Sequence, residues 1–211
     1  MRRILVASSK GGCGKTTIAT HLAAHFADAG KNTALVDHDL QRSSWHWCQK
    51  RPEGVKPVLG IEGSRRWAKE VPADTEYVIV DTAAGIRADE VESLLEHIDV
   101  MVLPVLPSVI DLEATAAFLK QLKSVARLRN KRDRVPLGLI ANRIKPWTNQ
   151  SQESIATMKS FGLPIVAELR DTQAYALTTG LGKSLFDYHS EQVRSHQEDW
   201  APLFRWLKKH A

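Results

Sequence analysis

With 211 residues, 43% of them hydrophobic and 25% charged, the chain has the length and composition of one soluble globular domain with a full core around a central sheet. It holds no run near the ~18 apolar residues of a membrane span, its Met1-Arg2-Arg3 opening leads into an apolar stretch too short for a secretory signal, and Cys13 and Cys48 make no disulfide framework, so a reducing cytoplasm is the expected location. The net charge of +5 is uneven: residues 1–105 carry 13 Lys/Arg against 14 Asp/Glu and residues 106–211 carry 16 against 10, which suits either a polyanionic partner or a solvated basic surface.

Short apolar runs recur at Ile4–Ala7, Thr33–Val36, Tyr77–Val80, Val100–Val105, Leu137–Ala141 and Ile165–Ala167. They are rich in Val, Ile and Leu and do not alternate, as strands buried on both faces of a parallel sheet read. Between them lie stretches of helical spacing. Ile18, Leu22, Ala23 and Phe26 share one face of Thr16–Ala29, and Ala114, Phe118, Leu122 and Val125 one face of Asp111–Arg129. Strands alternating with helices predict a doubly wound α/β fold, a mostly parallel sheet flanked by helices. Without repeats or linkers, residues 1–211 are expected to form a single P-loop domain. Its structure is expected to start almost at residue 1, so no N-terminal DNA-reading domain is expected.

Directly after the first strand comes Ser8-Ser9-Lys10-Gly11-Gly12-Cys13-Gly14-Lys15-Thr16-Thr17, and then a helix. Strand, glycine loop and helix in that order bind phosphate. The glycines turn backbone N–H groups inward, and the helix N-terminus adds partial positive charge. Lys15 is expected to reach the β- and γ-phosphates and the Thr16 hydroxyl to coordinate Mg²⁺. The usual loop has glycine where Ser9 stands; here Gly11, Gly12 and a second lysine, Lys10, are added.

This segment resembles the ParA/MinD family of deviant Walker A ATPases, whose signature is Lys-Gly-Gly-x-Gly-Lys-Thr-Thr. The resemblance implies an ATP-bound sandwich dimer in which Lys10 crosses to the phosphates of the other subunit's nucleotide. A cation there acts much as an arginine finger does and makes hydrolysis depend on dimerisation. Asp37-His38-Asp39-Leu40-Gln41 resembles the family's Asp-x-Asp-Pro-Gln, with leucine for proline, and Val78-Ile79-Val80-Asp81-Thr82 its Walker B segment. Carboxylates at the C-terminal ends of adjacent parallel strands face the ligand crevice. By this resemblance Asp81 holds Mg²⁺ through water and Asp39 positions the attacking water, near the metal. Leu103-Pro104-Val105-Leu106-Pro107-Ser108 resembles a strand end near the family's dimer interface, and Asn142 its adenine-reading asparagine. Residues 169–175 and 180–186 resemble the C-terminal segment of small ParA proteins.

Family members of this size position plasmids, chromosomes, carboxysomes or chemoreceptor clusters. They bind nucleoid DNA without sequence preference, and a ParB-like or other cargo adaptor stimulates their weak hydrolysis. The expected location is therefore the nucleoid. Candidate DNA contacts are Arg127 and Lys131, which follow Lys120 and Lys123 at helical spacing, Arg129 in the crowded helix end, and Lys145, Lys159, Arg170 and Lys183. A basic helix end also caps its own dipole, and that reading competes. The tail Trp200–Lys209 puts Trp200, Leu203, Phe204 and Leu207 on one face, to close the core or to lie on a membrane as in MinD. A MinD-like membrane ATPase and an ATP-dependent amide ligase of this fold stay open as alternatives; membrane binding is the less expected. Trp45 and Trp47 suit either core or partner. Cys13 is either a small residue that the loop admits or a thiol activated by the helix N-terminus.

Overall fold

The computed structural model describes residues 1–129 and 134–211. Its first half runs β1 (Arg2–Val6), α1 (Lys15–Asp28), β2 (Thr33–Asp37), α2 (Ser43–Gln49), β3 (Leu59–Glu62), α3 (Trp67–Glu70), β4 (Tyr77–Asp81) and α4 (Ala88–Leu95). The second half runs β5 (Val100–Val105), α5 (Val109–Leu122), α6 (Ala126–Arg129), β6 (Leu137–Ile144), α7 (Asn149–Ser160), β7 (Ile165–Arg170) and α8 (Ala174–Gly180). A short 3-10 turn at Leu185–Asp187 leads to α9 (Glu191–Glu198) and α10 (Ala201–His210).

The strands form one sheet in the order β3-β2-β4-β1-β5-β6-β7, and every neighbouring pair is parallel. Both faces are covered, so consecutive strand residues alternate between two apolar layers instead of between core and water. Ile4 and Val6 pack with Ile18 and Leu22 of α1 and Leu203 of α10. Leu5 packs on the other side with Val91 of α4, Phe118 of α5 and Met158 of α7. The doubly wound fold expected from the sequence is present, with a wholly parallel sheet.

Three local features differ from the sequence reading or settle it. The edge strand β3 was not expected; Leu-Gly-Ile-Glu is short and carries only one buried residue, Ile61. Its Gly60 is required because a side chain there would collide with Cys48 on α2. The helix expected over Asp111–Arg129 breaks after Leu122. Ser124 turns its hydroxyl onto the Gln121 carbonyl at 2.7 Å, and Val125 enters the core. A serine that bonds its own backbone competes with the helix, and the β-branched valine does not favour its continuation. Lys131, from the expected basic cluster, lies outside the described residues. The tail closes the core: Trp200, Leu203 and Leu207 are buried, which leaves no apolar stripe of these residues for a membrane surface. Among the described residues no helix is long and apolar enough to cross a membrane.

The tail is held to α1 by ring stacking. His21 lies on Trp200, with centroids 5.6 Å apart and planes 14° apart, and His25 lies on Phe204 at 3.6 Å and 8°. His21 Nδ1 donates to the Thr17 carbonyl at 2.8 Å, since a carbonyl can only accept, and its Nε2 is buried without a partner among the described residues. Burial pushes the His21 imidazole down to about 4 from an ordinary 6.5. The unfolded chain takes up this proton near pH 6.5 and the folded ring only near 4, so stability is lost as pH falls through that window. Replacing His21 by Leu should flatten this slope. In urea titrations at pH 7 and 4.5, the variant's acid-side loss should be smaller than wild type by on the order of 2–3 kcal/mol.

Candidate nucleotide and metal site

The loop between β1 and α1 passes over the C-terminal ends of the strands, where parallel sheets bind ligands. Gly12 and Gly14 sit at φ 79° and 94°, in the left-handed region that favours glycine. A side chain on Gly14 would also strike the amide of Asn142. The loop is braced from within: the Ser8 hydroxyl donates to the Lys10 carbonyl at 2.8 Å, and Cys13 Sγ lies 2.9 Å from Ser8 Oγ. Asn142 Nδ2 donates to the Cys13 carbonyl at 2.7 Å, so the strand end of β6 supports the loop from below. Cys13 is 1% exposed, which fits the small-residue reading of that position.

Helix α1 begins without a side-chain cap and without an acidic residue in its first turn. Its first N–H groups are therefore left to an anion. Lys15 folds back over the loop, with Nζ donating to the Lys10 carbonyl at 3.1 Å and to Ser8 Oγ at 3.4 Å. Lys10 turns the other way, to 3.9 Å from Asp111 Oδ2 on the first turn of α5, and stays partly exposed. Asp111 is itself held by the Ser108 hydroxyl at 2.8 Å. Gly11 lies exposed between these lysines, and Thr17 stands half-buried on the first turn of α1.

Below the loop two carboxylates meet. β2 and β4 pair in register at Asp37 and Asp81, both nearly without exposure. The Thr16 hydroxyl donates to Asp81 Oδ2 at 2.9 Å, while Asp81 Oδ1 is buried without a partner among the described residues. Burial first, and then the charge of Asp37, push the Asp81 carboxyl up to about 7; Thr16, Ser44 and Lys15 hold it down in part. Asp37 is better provided. Its Oδ1 accepts the Asp39 N–H and its Oδ2 the Trp45 N–H, each at 2.9 Å. Asp39 stands half-buried at the mouth, its carboxylate accepting the Gln41 N–H at 2.9 Å. The turn closes through Arg42 at φ 51°, without the family's proline, and leaves Leu40 95% exposed.

A carboxylate oxygen without a partner beside a hydroxyl is a hard-oxygen donor set that suits a small divalent cation. Among the described residues no three His, Cys, Asp or Glu groups converge on a metal position. Few protein ligands are what a cation shared with phosphates and water needs.

The candidate DNA cations are not brought to one surface. Arg127, half-buried on α6, lines a cleft of about 450 Å³ with Arg2, Arg134 and His210 at the N-terminal ends of the strands. Arg129 ends the same helix, and Lys159 is exposed at the end of α7. Lys145 follows the opposite, C-terminal end of β6, Arg170 is the last residue of β7, and Lys183 follows α8. Lys145 pairs with Asp171 at 3.6 Å, and Arg170 with Asp199 at 2.8 Å while also donating to the Ser195 carbonyl. Lys183 Nζ sits 5.0 Å over the Tyr188 ring.

Sequence reasoning gave no role to Asp37, which ties the Asp39–Arg42 turn to α2, or to Asp111. The available signal for Asp37 was a carboxylate ending a strand whose preceding residues, Ala34, Leu35 and Val36, are apolar. It also missed the ion pair of Arg51 with Asp187 at 2.8 Å, nearly unexposed on both sides. Trp47 belongs with that pair: the Arg51 guanidinium stacks 4.7 Å from its ring, and its indole N–H donates to the Lys183 carbonyl at 3.1 Å. Trp47 is therefore core, while Trp45 is half-buried.

A parallel sheet with this loop and these strand-end carboxylates defines a P-loop nucleotide-binding protein. The chain belongs to the CobQ/CobB/MinD/ParA nucleotide binding domain family, matched over residues 4–185. It is 28% identical over 189 residues to the Maintenance of carboxysome distribution protein A of Halothiobacillus neapolitanus, covering 87% of this chain and 86% of that relative. To the chromosome-partitioning ATPase Soj of Thermus thermophilus it is 30% identical, over 76% of each chain. The Cyanothece McdA–ATP complex shares its fold with a TM-score of 0.74 at 16% identity, over 99% of this chain and 95% of that one.

The raised Asp81 carboxyl has a measurable consequence in the nucleotide-free protein. The unfolded carboxyl ionises near 3.8 and the folded one near 7, so stability falls as pH rises between these values. Asp81→Asn should therefore raise the melting temperature at pH 8, by an amount that shrinks as pH falls and vanishes near pH 4. A variant less stable than wild type at pH 8 would show that the native carboxylate is already compensated.

Proposed function

We propose that this chain is a ParA-type ATPase that binds Mg·ATP, forms a sandwich dimer across its nucleotide face, binds DNA nonspecifically and positions a cargo through an adaptor that stimulates hydrolysis. The observation that carries the reading is the Thr16–Asp81 hydrogen bond beneath an uncapped helix N-terminus, with Lys15 over the loop. Backbone N–H groups of the loop and of Thr16 and Thr17 take the phosphates, and Lys15 neutralises their charge. Mg²⁺, when bound, screens the terminal phosphates. Thr16 and Asp81 are the residues that would hold it, with Asp39 close by.

Asp39 at the mouth orients the attacking water, a role that needs position more than basicity. Asn142 lines the adenine side while bracing the loop. Lys10 is partly exposed, free to leave Asp111 for the nucleotide of a second copy. Around it the nucleotide face shows bare apolar side chains at Leu40, Val109 and Ile110, which suits burial against that copy. The core position of Trp200, Leu203 and Leu207 favours DNA over a membrane as the surface bound. Lys145 and Arg170 each face an aspartate, so the DNA contact falls to the α5–α6 end, where Lys120, Lys123 and Arg127 stand.

Lys15→Ala should lose ATP binding by at least a hundredfold in equilibrium titration, whereas Asp39→Ala should bind ATP and dimerise but hydrolyse it more than tenfold more slowly. ATP binding by Lys15→Ala at wild-type strength would overturn the phosphate-loop assignment.

In electrophoretic shifts at low salt, the wild type should bind DNA of any sequence more tightly with ATP than with ADP, and the binding should weaken steeply with salt. Lys120→Glu with Lys123→Glu should reduce it and leave ATP-driven dimerisation intact. Pelleting with anionic vesicles in place of DNA binding would favour a membrane surface instead.

A further inference from the structure

The magnesium reading leaves one buried group at the site without a use. Ser44, the second residue of α2, is fully buried, and its hydroxyl has no hydrogen-bond partner among the described residues. A buried hydroxyl without a partner is costly, and the smaller, apolar alanine would fit the same space without that cost. The hydroxyl therefore earns its place by what it faces.

Helix α2 seats it beside the Asp37 and Asp81 pair. The Trp45 N–H, next in the chain, donates to Asp37 Oδ2, and Asp37 is the register partner of Asp81 on the neighbouring strand. Ser44 thus sits on the first turn of α2, the turn that docks on the Asp37 and Asp81 pair. Thr16 already occupies Oδ2. The free oxygen is Oδ1, the other buried polar atom without a partner here. Two such atoms from different elements, both buried where α2 meets the ends of β2 and β4, are a pairing that packing alone does not explain.

The helix that carries Ser44 is fixed at several points. Trp47 donates to the Lys183 carbonyl, Arg51 is paired with Asp187 where the chain leaves α2, and Cys48 packs against Gly60 of β3. A group mounted on such a helix is held ready and need not be recruited by the ligand.

We propose that Ser44 is a positioning residue of the magnesium site, its hydroxyl working with Asp81 Oδ1 to orient the hydrated cation that Thr16 and Asp81 receive. This rests on the magnesium reading given above. Outer groups of this kind commonly change metal affinity by about 10–100-fold.

The test is Ser44→Ala, followed by binding of a fluorescent ADP analogue titrated with Mg²⁺ and by thermal melting of the nucleotide-free protein. The half-saturating Mg²⁺ concentration should rise about tenfold, while ADP affinity in EDTA stays unchanged and the melting temperature holds or increases. A Mg²⁺ dependence equal to wild type overturns the proposal. A lower melting temperature with an unshifted Mg²⁺ dependence also overturns it and makes Ser44 a packing residue. Asp81→Asn is the control for the underlying reading. If wild type and Asp81→Asn both bind the analogue without any response to Mg²⁺, the magnesium site itself fails, a result distinct from failure at Ser44.

Discussion

Two carboxylates that end neighbouring parallel strands in register, Asp37 and Asp81, are shut away from water almost completely. Removing such charges from water is strongly unfavourable unless hydrogen bonds or a cation compensate them. The two are compensated differently, and the organisation of the site follows from that difference. Asp37 receives two backbone N–H groups and becomes a structural anchor. Asp81 receives one hydroxyl, keeps an oxygen free and is pushed up towards neutral pH. Of the two, only Asp37 is finished by the protein itself.

From Asp37 the constraint passes outward. Its bonds set the start of the Asp39–Arg42 turn and the first turn of α2. The far end of α2 reaches the C-terminal part of the chain through Trp47 and through Arg51 with Asp187. That segment in turn packs on α1, the helix that opens at the phosphate loop: His21 lies edge-on to Phe186 and stacked on Trp200. The loop, the switch turn and the tail are thus joined in one closed circuit of contacts. A displacement of Asp39 on the front of the site has a packed path to the back of the molecule.

Lys10 illustrates a different economy. It rests 3.9 Å from Asp111 on the first turn of α5. A partly exposed ion pair of this length is weak, so little opposes its departure. Lys15, by contrast, is buried across the loop it serves. The two lysines of one sequence segment are held with very different firmness.

The amino-acid sequence by itself determined the elements whose signal is local. Runs of Val, Ile and Leu too continuous for a half-wet sheet announced strands covered on both sides, and Gly11 to Thr17 announced a phosphate loop because backbone N–H groups turn inward only where side chains are absent. Asp39 and Asp81 were singled out by the order of their segments along the chain. What only the tertiary structure decided are matters of distance between segments far apart in sequence. Asp37 and Asp81 become a coupled pair only when β2 lies beside β4. Ser44 becomes an orphan hydroxyl only when α2 is seated against that pair, and Arg51 becomes a buried charge only when Asp187 returns to it. The basic residues of the second half read as one group by composition, yet the sheet sends them to opposite ends, because a strand and the helix that follows it run in opposite directions. Local pattern records how each segment satisfies its own backbone; which side chains share a site is set by packing, and packing has no period in the sequence.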